Sequence, residues 1–270
     1  MTADTPEPPP RRKWHLARWF VVFVAAMLGY SGWRSYAFNS ALKQAEALHW
    51  QVGYTDPFEM IRADWKAAFK KATWTDGVTE VIIPTGEQFQ QHLDIIYRLN
   101  PKKLEIGDAQ ALHDLSALKG LTRLDGFSVW EGANLTDVEA LKNFTALKAI
   151  ALHDCTALKN MDAFKSLMSL ERVDLSGCTG LANVDAIKNL TTLTVVGLTG
   201  CTALTNADAF KNLPALKSVD FRGCTGLRNV DALKSLTSLK VVRLYGCTGL
   251  TKESIAALEA ALPNTNILSE

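Results

Sequence analysis

The sequence predicts an α/β solenoid of stacked, near-identical units, preceded by one transmembrane helix. Three observations carry that prediction. The five cysteines, Cys155, Cys178, Cys201, Cys224 and Cys247, follow one another at intervals of 23 residues, and self-similarity at such a fixed period marks a repeat architecture. Apolar residues recur in the same phase, as at Leu167, Leu170, Val173, Leu175, Cys178 and Leu181. Near the N-terminus, residues 19–33 run without a charge between basic flanks.

Composition narrows the function classes. The chain has 270 residues, 47% of them hydrophobic and 21% charged, too apolar for a disordered protein. Lys and Arg number 29 against 28 Asp and Glu, a net charge of +1, which argues against a nucleic-acid partner. The basic excess is local: Arg11, Arg12, Lys13, Arg18 and Arg34 stand against Asp4 and Glu7 in residues 1–36.

Residues 1–13, proline-rich and then basic, read as a disordered cytoplasmic tail. Residues 14–36 read as a transmembrane signal anchor. The uncharged core alone would make a helix of roughly 22 Å, short of the ~30 Å hydrocarbon layer. Arg18 and Arg34 can snorkel, and Trp14, Trp19, Tyr30 and Trp33 are interfacial residue types. The competing readings are a cleaved signal, which would leave a secreted protein, and an interfacial or buried helix. Gly32-Trp33-Arg34 is a poor cleavage site. With the basic cluster ahead of the span, the N-terminus stays cytoplasmic and the rest of the chain crosses. In a bacterium this means a single-pass inner-membrane protein with a periplasmic domain.

Residues 37–75 are expected to be a helical linker of two helices. The second starts at Asp56-Pro57-Phe58-Glu59 and carries Phe58, Ile61, Trp65 and Phe69 at helical spacing, to pack on the first solenoid strand or to dock a partner. Residues 76–94 form an N-terminal cap, in which Thr85-Gly86-Glu87-Gln88 has capping-box spacing. It opens a helix through Phe89, Leu93, Ile96 and Leu99, ended by Asn100-Pro101. Val81 to Ile83 should be a strand one period before Leu104 to Ile106. Seven repeats then fill residues 95–255, with Gly132 at the cysteine position of the unit before Cys155. A C-terminal cap spans 252–270: a helix over 252–262 stopped by Pro263, then a closing strand at Asn266-Ile267-Leu268.

Within a unit such as Arg172-Val173-Asp174-Leu175-Ser176, strand alternation puts Val173 and Leu175 on one face and the other three on the opposite face. A lone unit cannot bury that apolar edge, so neighbours must stack. Asp162, Asp185, Asp208 and Asp231 suit helix N-caps. Lys142, Lys165, Lys188, Lys211 and Lys234 follow as a solvated ladder.

The pattern L-x-x-L-x-x-[VIF]-x-[LF]-x-x-C-x-x-L resembles that of bacterial leucine-rich repeat proteins, with cysteine at the family's asparagine/cysteine position. The resemblance implies a curved parallel sheet lining a concave face, short helices or 3₁₀ turns on the convex side, and a protein partner held in the concavity.

No catalytic, cofactor or metal site is expected. The cysteines would stand about 4.8 Å apart with parallel side chains, a buried ladder of thiols neither paired nor convergent on a metal. His15, His49, His92, His113 and His153 fall in no ligand or nucleophile motif. Gly-Cys-Thr-Gly recurs at 177–180, 223–226 and 246–249 but lacks the Lys-Ser/Thr of a phosphate loop.

Binding is assigned to the strand positions that vary between units. The outermost row reads Gly107, Trp130, His153, Ser176, Thr199, Arg222, Tyr245, and the middle row Glu105, Ser128, Ala151, Asp174, Gly197, Asp220, Arg243. Asp108, Glu131 and Asp154 follow their strands where later units have glycine. The expected partner-binding residues are Trp130, Glu131, His153, Asp154, Asp174, Asp220, Arg222, Arg243 and Tyr245. Trp, Tyr and Arg among them are the hot-spot types. The expected function is a membrane-anchored adaptor or scaffold that binds a protein on its concave face. The alternative is an accessory subunit of a larger membrane complex that makes its contacts through the anchor and residues 37–75.

Overall fold

Repetition every 23 residues forces each strand to lie beside its own copy, and the pairing follows that rule. The structure is a computed structural model that describes residues 37, 39–54 and 78–269. Among these residues, ten strands form one sheet in sequence order: β1 (Gln51–Tyr54), β2 (Val78–Thr85), β3 (Lys103–Asp108), β4 (Gly126–Trp130), β5 (Ala149–Leu152), β6 (Arg172–Asp174), β7 (Val195–Gly197), β8 (Ser218–Asp220), β9 (Val241–Arg243) and β10 (Asn266–Leu268). β1 runs antiparallel to β2, and every later neighbour is parallel. A single ladder, Leu104, Phe127, Ile150, Val173, Val196, Val219, Val242 and Ile267, crosses β3 to β10 in register. Register is pinned because a one-residue slip would turn every apolar side chain outward.

The core lies behind this ladder. In the unit around β6, Leu167, Leu170, Val173, Leu175, Cys178 and Leu181 are all buried. Their equivalents in neighbouring units belong to the same continuous cluster, and among the described residues no polar or charged side chain is buried. The chain returns through short 3₁₀ turns at Ser116–Gly120, Glu139–Asn143, Asp162–Ser166, Asp185–Ile187, Asp208–Phe210 and Asp231–Ser235. So few residues remain between strands that a tighter helix, held together by its Ala and Leu or Phe side chains in the core, replaces a full α-helix.

The aspartate N-cap expectation is corrected. Asp162, Asp185, Asp208 and Asp231 are the first residues inside these turns, and no side chain at the cap position accepts a bond. Capping comes from two residues earlier. Asn160, Asn183, Asn206 and Asn229 accept through Oδ1 from the backbone N–H of Asp162, Asp185, Asp208 and Asp231, at 2.7, 3.2, 3.0 and 2.7 Å. The Asx-type turn closes a ring that a cap at the next positions could not. Asp162 and Asp231 instead pair with Lys165 and Lys234, each at 2.7 Å, so part of the lysine ladder is tied to its own turn.

The ends behave as caps. Thr85 accepts from the Gln88 N–H at 3.2 Å, opening the helix Gly86–Gln91. The single helix expected through Leu99 is two, broken at His92 (φ −123°, ψ 34°), with Leu93–Leu99 following and Asn100 ending it in the left-handed conformation. Against the break sits Trp50, whose indole donates to Gln88 Oε1 at 2.7 Å and meets the His92 ring edge-on. Residues 39–47 are helical, as expected for the front of 37–75, but β1 follows as a strand that an all-helical linker did not contain. At the far end, the helix Lys252–Ala261 buries Leu258 and leads through Pro263 into β10, which closes the sheet against β9.

Tail 1–13, anchor 14–36 and the helix expected to carry Phe58, Ile61, Trp65 and Phe69 lie outside the described residues. Within those residues, no helix is long and apolar enough to cross a membrane.

Candidate functional site

The outward side chains of the sheet form three rows, because each strand alternates and each pair is in register. The middle row is as expected: Glu105, Ser128, Ala151, Asp174, Gly197, Asp220 and Arg243 are direct partners across β3 to β9. A groove of about 550 Å³ runs along these strands. Its floor includes an innermost row that the sequence reading passed over, among it Lys103, Arg172 and Val195. The signal was present, since these residues stand two positions before the middle row and vary as freely. The outermost row forms one lip, from which Trp130 and Tyr245 project, 43% and 38% exposed.

Four of the nine expected residues gather in one corner. The indole of Trp130 and the imidazole of His153 lie face to face, with ring centroids 3.9 Å apart and planes at 15°. Stacking along the sheet follows from their in-register positions on adjacent strands, since β-neighbours are about 4.8 Å apart. Glu131 and Asp154 come directly after them, in the left-handed region at φ 55° and 56°. In the next four units the equivalent residues are Gly177, Gly200, Gly223 and Gly246, with φ from 69° to 79°. The turn after each strand therefore demands a conformation that glycine adopts freely and an L-residue resists. Glu131 and Asp154 meet that demand with a carboxylate in place, and the Asp154 side chain bends over Gly177, where an added Cβ would lie 2.0 Å from its Oδ1.

One placement differs from the sequence reading. Gly107 was set beside Trp130, but β3 carries a bulge between Ile106 and Asp108, and Asp108 is the partner of Trp130. The bulge needs glycine, because a Cβ at 107 would come within 2.2 Å of the Pro84 carbonyl oxygen. The Asp108 carboxylate caps its own turn, accepting from the Gln110 N–H at 3.2 Å.

A second group lies about four strand spacings away, roughly 19 Å. Asp220 holds Arg222 at 2.9 Å and approaches Arg243 at 3.9 Å. That hydrogen-bonded carboxylate raises the Arg222 pKa above its ordinary value. One carboxylate serves two guanidinium groups, so this end keeps net positive charge beside Tyr245. Asp174, between the two groups, spends its carboxylate on its own strand end, accepting from Ser176 Oγ at 2.6 Å and Ser176 N–H at 3.0 Å. The stretch between is bare, with Gly197 on the floor.

The cysteine ladder lies behind the sheet, fully enclosed, and all five thiols are free. Cys178, Cys201, Cys224 and Cys247 donate to the carbonyls of Leu152, Leu175, Leu198 and Phe221 in the preceding unit, at 3.2, 3.2, 3.0 and 2.9 Å. Each thiol satisfies a buried carbonyl at its strand end. Cys155 departs from the series: its thiol reaches the carbonyl of His153, in its own unit, at 3.7 Å. Burial pushes the Cys224 thiol up to about 12 and the Cys247 thiol to about 11, and that of Cys201 higher still. For Cys155 the hydrogen bond with Cys178 adds to burial in the same direction. Such thiols are poor nucleophiles and poor metal ligands.

Comparison with known proteins agrees with this architecture. Residues 126–252 match the model of the BspA type leucine rich repeat region, in 6 copies. Among solved structures, internalin C2 from Listeria monocytogenes is similar at 20% identity and a TM-score of 0.54, over 76% of this chain and 90% of that one. The leucine-rich repeat domain of the type III effector XopL is similar at 19% identity and a TM-score of 0.53, over 88% and 93%. At these identities the likeness is one of fold. No curated protein sequence matches the chain.

Proposed function

We propose that this chain, whose described residues form a leucine-rich repeat solenoid, is a membrane-anchored adaptor that binds another protein across its concave face. Solenoids of this kind offer an extended concave surface for partners. The observation that carries the reading is the contrast between the two faces of each strand. The inward positions repeat one pattern of Leu, Val, Ile, Phe and Cys, whereas the outward rows change from unit to unit and collect Trp130, His153, Arg222, Arg243 and Tyr245. Nothing in the packing calls for a stacked Trp–His pair or for carboxylates in a glycine turn. Recognition would rest on shape and charge, without a cofactor.

In this reading residues 14–36 anchor the chain in the bacterial inner membrane, the tail 1–13 stays in the cytoplasm, and the solenoid works in the periplasm. The second reading, an accessory subunit that docks through the anchor and residues 37–75, is favoured by the tie between Trp50 and Gln88, which holds residues N-terminal to the sheet against its first cap.

Capture from native membranes tests the two together. The intact chain is compared with a triple variant carrying Trp130→Ala, Arg222→Ala and Tyr245→Ala, all at exposed positions. The adaptor reading expects a partner retained by the intact chain and lost by the folded variant. Identical partners on both would transfer the function to the anchor and its neighbouring segment.

A further inference from the structure

We propose that the C-terminal half of the groove, from β6 to β9, takes an extended acidic segment of the protein partner, with carboxylates against Arg172 and Arg243 and an apolar side chain over Val195. The inference rests on the concave-face reading and names the chemistry of one stretch of it.

Charge sets the sign of the occupant. On the outward rows and at the strand starts of β6 to β9, Arg172, Lys217, Arg222, Lys240 and Arg243 stand against Glu171, Asp174 and Asp220. Each of the three carboxylates already has a partner. Glu171 meets Lys148 at 4.0 Å, Asp174 accepts from Ser176, and Asp220 holds Arg222 at 2.9 Å. Arg243 keeps only its 3.9 Å approach to that shared Asp220 carboxylate. Arg172, Lys217 and Lys240 are exposed, and among the described residues they make no ion pair or side-chain hydrogen bond. An acidic segment is attracted by all of these cations, and a basic one is repelled.

Val195 supplies the apolar contact. It lies on the groove floor, 38% exposed, between Arg172 and Ser218 in its row. Gly197, two residues on, has no side chain to cover it. Other strands fill the same position with Gly126, Ala149 and Ser218, so the sheet itself does not require an apolar residue there. Covering Val195 removes apolar surface from water.

Spacing fixes the order of contacts. Arg172 and Arg243 are three strands apart, roughly 14 Å, which about four residues of extended chain span at ~3.3 Å each. Alternate side chains of such a segment share one face, so its first, third and fifth reach Arg172, Val195 and Arg243 in turn. The segment therefore reads acidic-x-apolar-x-acidic.

The full chain in non-ionic detergent is titrated at physiological salt with the fluorescent nonapeptide Glu-Ser-Val-Ser-Glu-Ser-Val-Ser-Glu, anisotropy being the readout. Two counterparts carry Lys for Glu or Ser for Val. The variants are the pair Arg172→Gln and Arg243→Gln, the single Val195→Ser, and the convex pair Lys188→Gln and Lys211→Gln, each checked for folding by thermal unfolding. Arg11, Arg12 and Lys13 are common to all of them, so attraction to the basic tail cancels. The acidic probe should bind more tightly than either counterpart. The arginine pair should weaken it about fivefold and Val195→Ser about threefold. The convex pair, which removes the same charge elsewhere, should leave it unchanged. A tighter lysine probe, no weakening by the arginine pair or by Val195→Ser, or equal weakening by the convex pair would overturn the proposal. Failure here with partner capture still dependent on Trp130, Arg222 and Tyr245 removes the acidic segment alone. Loss of that dependence removes the adaptor reading instead.

Discussion

Glu131 and Asp154 occupy a backbone position that Gly177, Gly200, Gly223 and Gly246 fill in the next four units, and the left-handed conformation costs an L-residue about 1–2 kcal/mol. Glycine at either position relieves that strain but adds freedom to the unfolded chain. Denaturant unfolding should therefore find Asp154→Gly neutral or up to about 1 kcal/mol more stable. Gly200→Ala runs the other way. Nothing lies within 3.8 Å of the added Cβ, so strain alone acts, and a loss of about 1–2 kcal/mol is expected. A stable Gly200→Ala variant would remove the strain account. The thiols give a second residue-scale expectation. Burial raises the Cys247 and Cys224 pKa values from 9.0 to about 11 and 12. Below pH 9 both states hold their protons and the thiols add no pH dependence. Above it the unfolded chain releases protons that the folded chain keeps, so stability falls as pH rises from about 9 through 11 to 12. Alkylation in the native state should be negligible at pH 8 and complete after unfolding. Rapid native labelling of Cys201 would contradict the buried ladder.

At the scale of elements, the sequence exposed whatever the period carries and hid what depends on backbone geometry. The repeat strands, the Thr85 cap, the closing helix and the final strand all follow from spacing and residue type, and all are present, whereas β1 was not foreseen. The turn caps were misassigned because aspartate and asparagine both suit a cap, and the choice between Asn206 and Asp208 lies in a turn closing over two residues. Asn206→Ala should remove that bond and destabilise by about 1 kcal/mol, whereas Asp208→Ala should change stability by less than half as much. Equal costs would return the cap to aspartate. The bulge at Gly107 was likewise invisible. Its cause is the Pro84 carbonyl on the next strand, a contact across 23 residues that no local pattern records. The same bulge makes Asp108, not Gly107, the strand partner of Trp130, so this corner was half legible: its residues were identified, but not the register beside them. The innermost groove row, with Lys103 and Arg172, was missed although its 23-residue spacing was in plain view.

For the whole molecule, each unit touches chiefly its neighbours, so the solenoid is a one-dimensional stack whose ends need covering. The helix Lys252–Ala261 and β10 cover one end, and the two helices after β2 flank the other. Such a stack holds its outward rows at fixed spacing along a rigid sheet, which suits a surface that reads a partner at two places, one acidic and one basic. The central claim is that this concave face is the working surface. It is tested most directly by placing a photo-crosslinking amino acid at Thr199 on the outer row, or at Lys188 on the exposed convex side, in the full chain expressed in its native cells. Crosslinking from Thr199 to one protein, with none from Lys188, is the result expected. The same partner reached from Lys188, or none from Thr199, would contradict it.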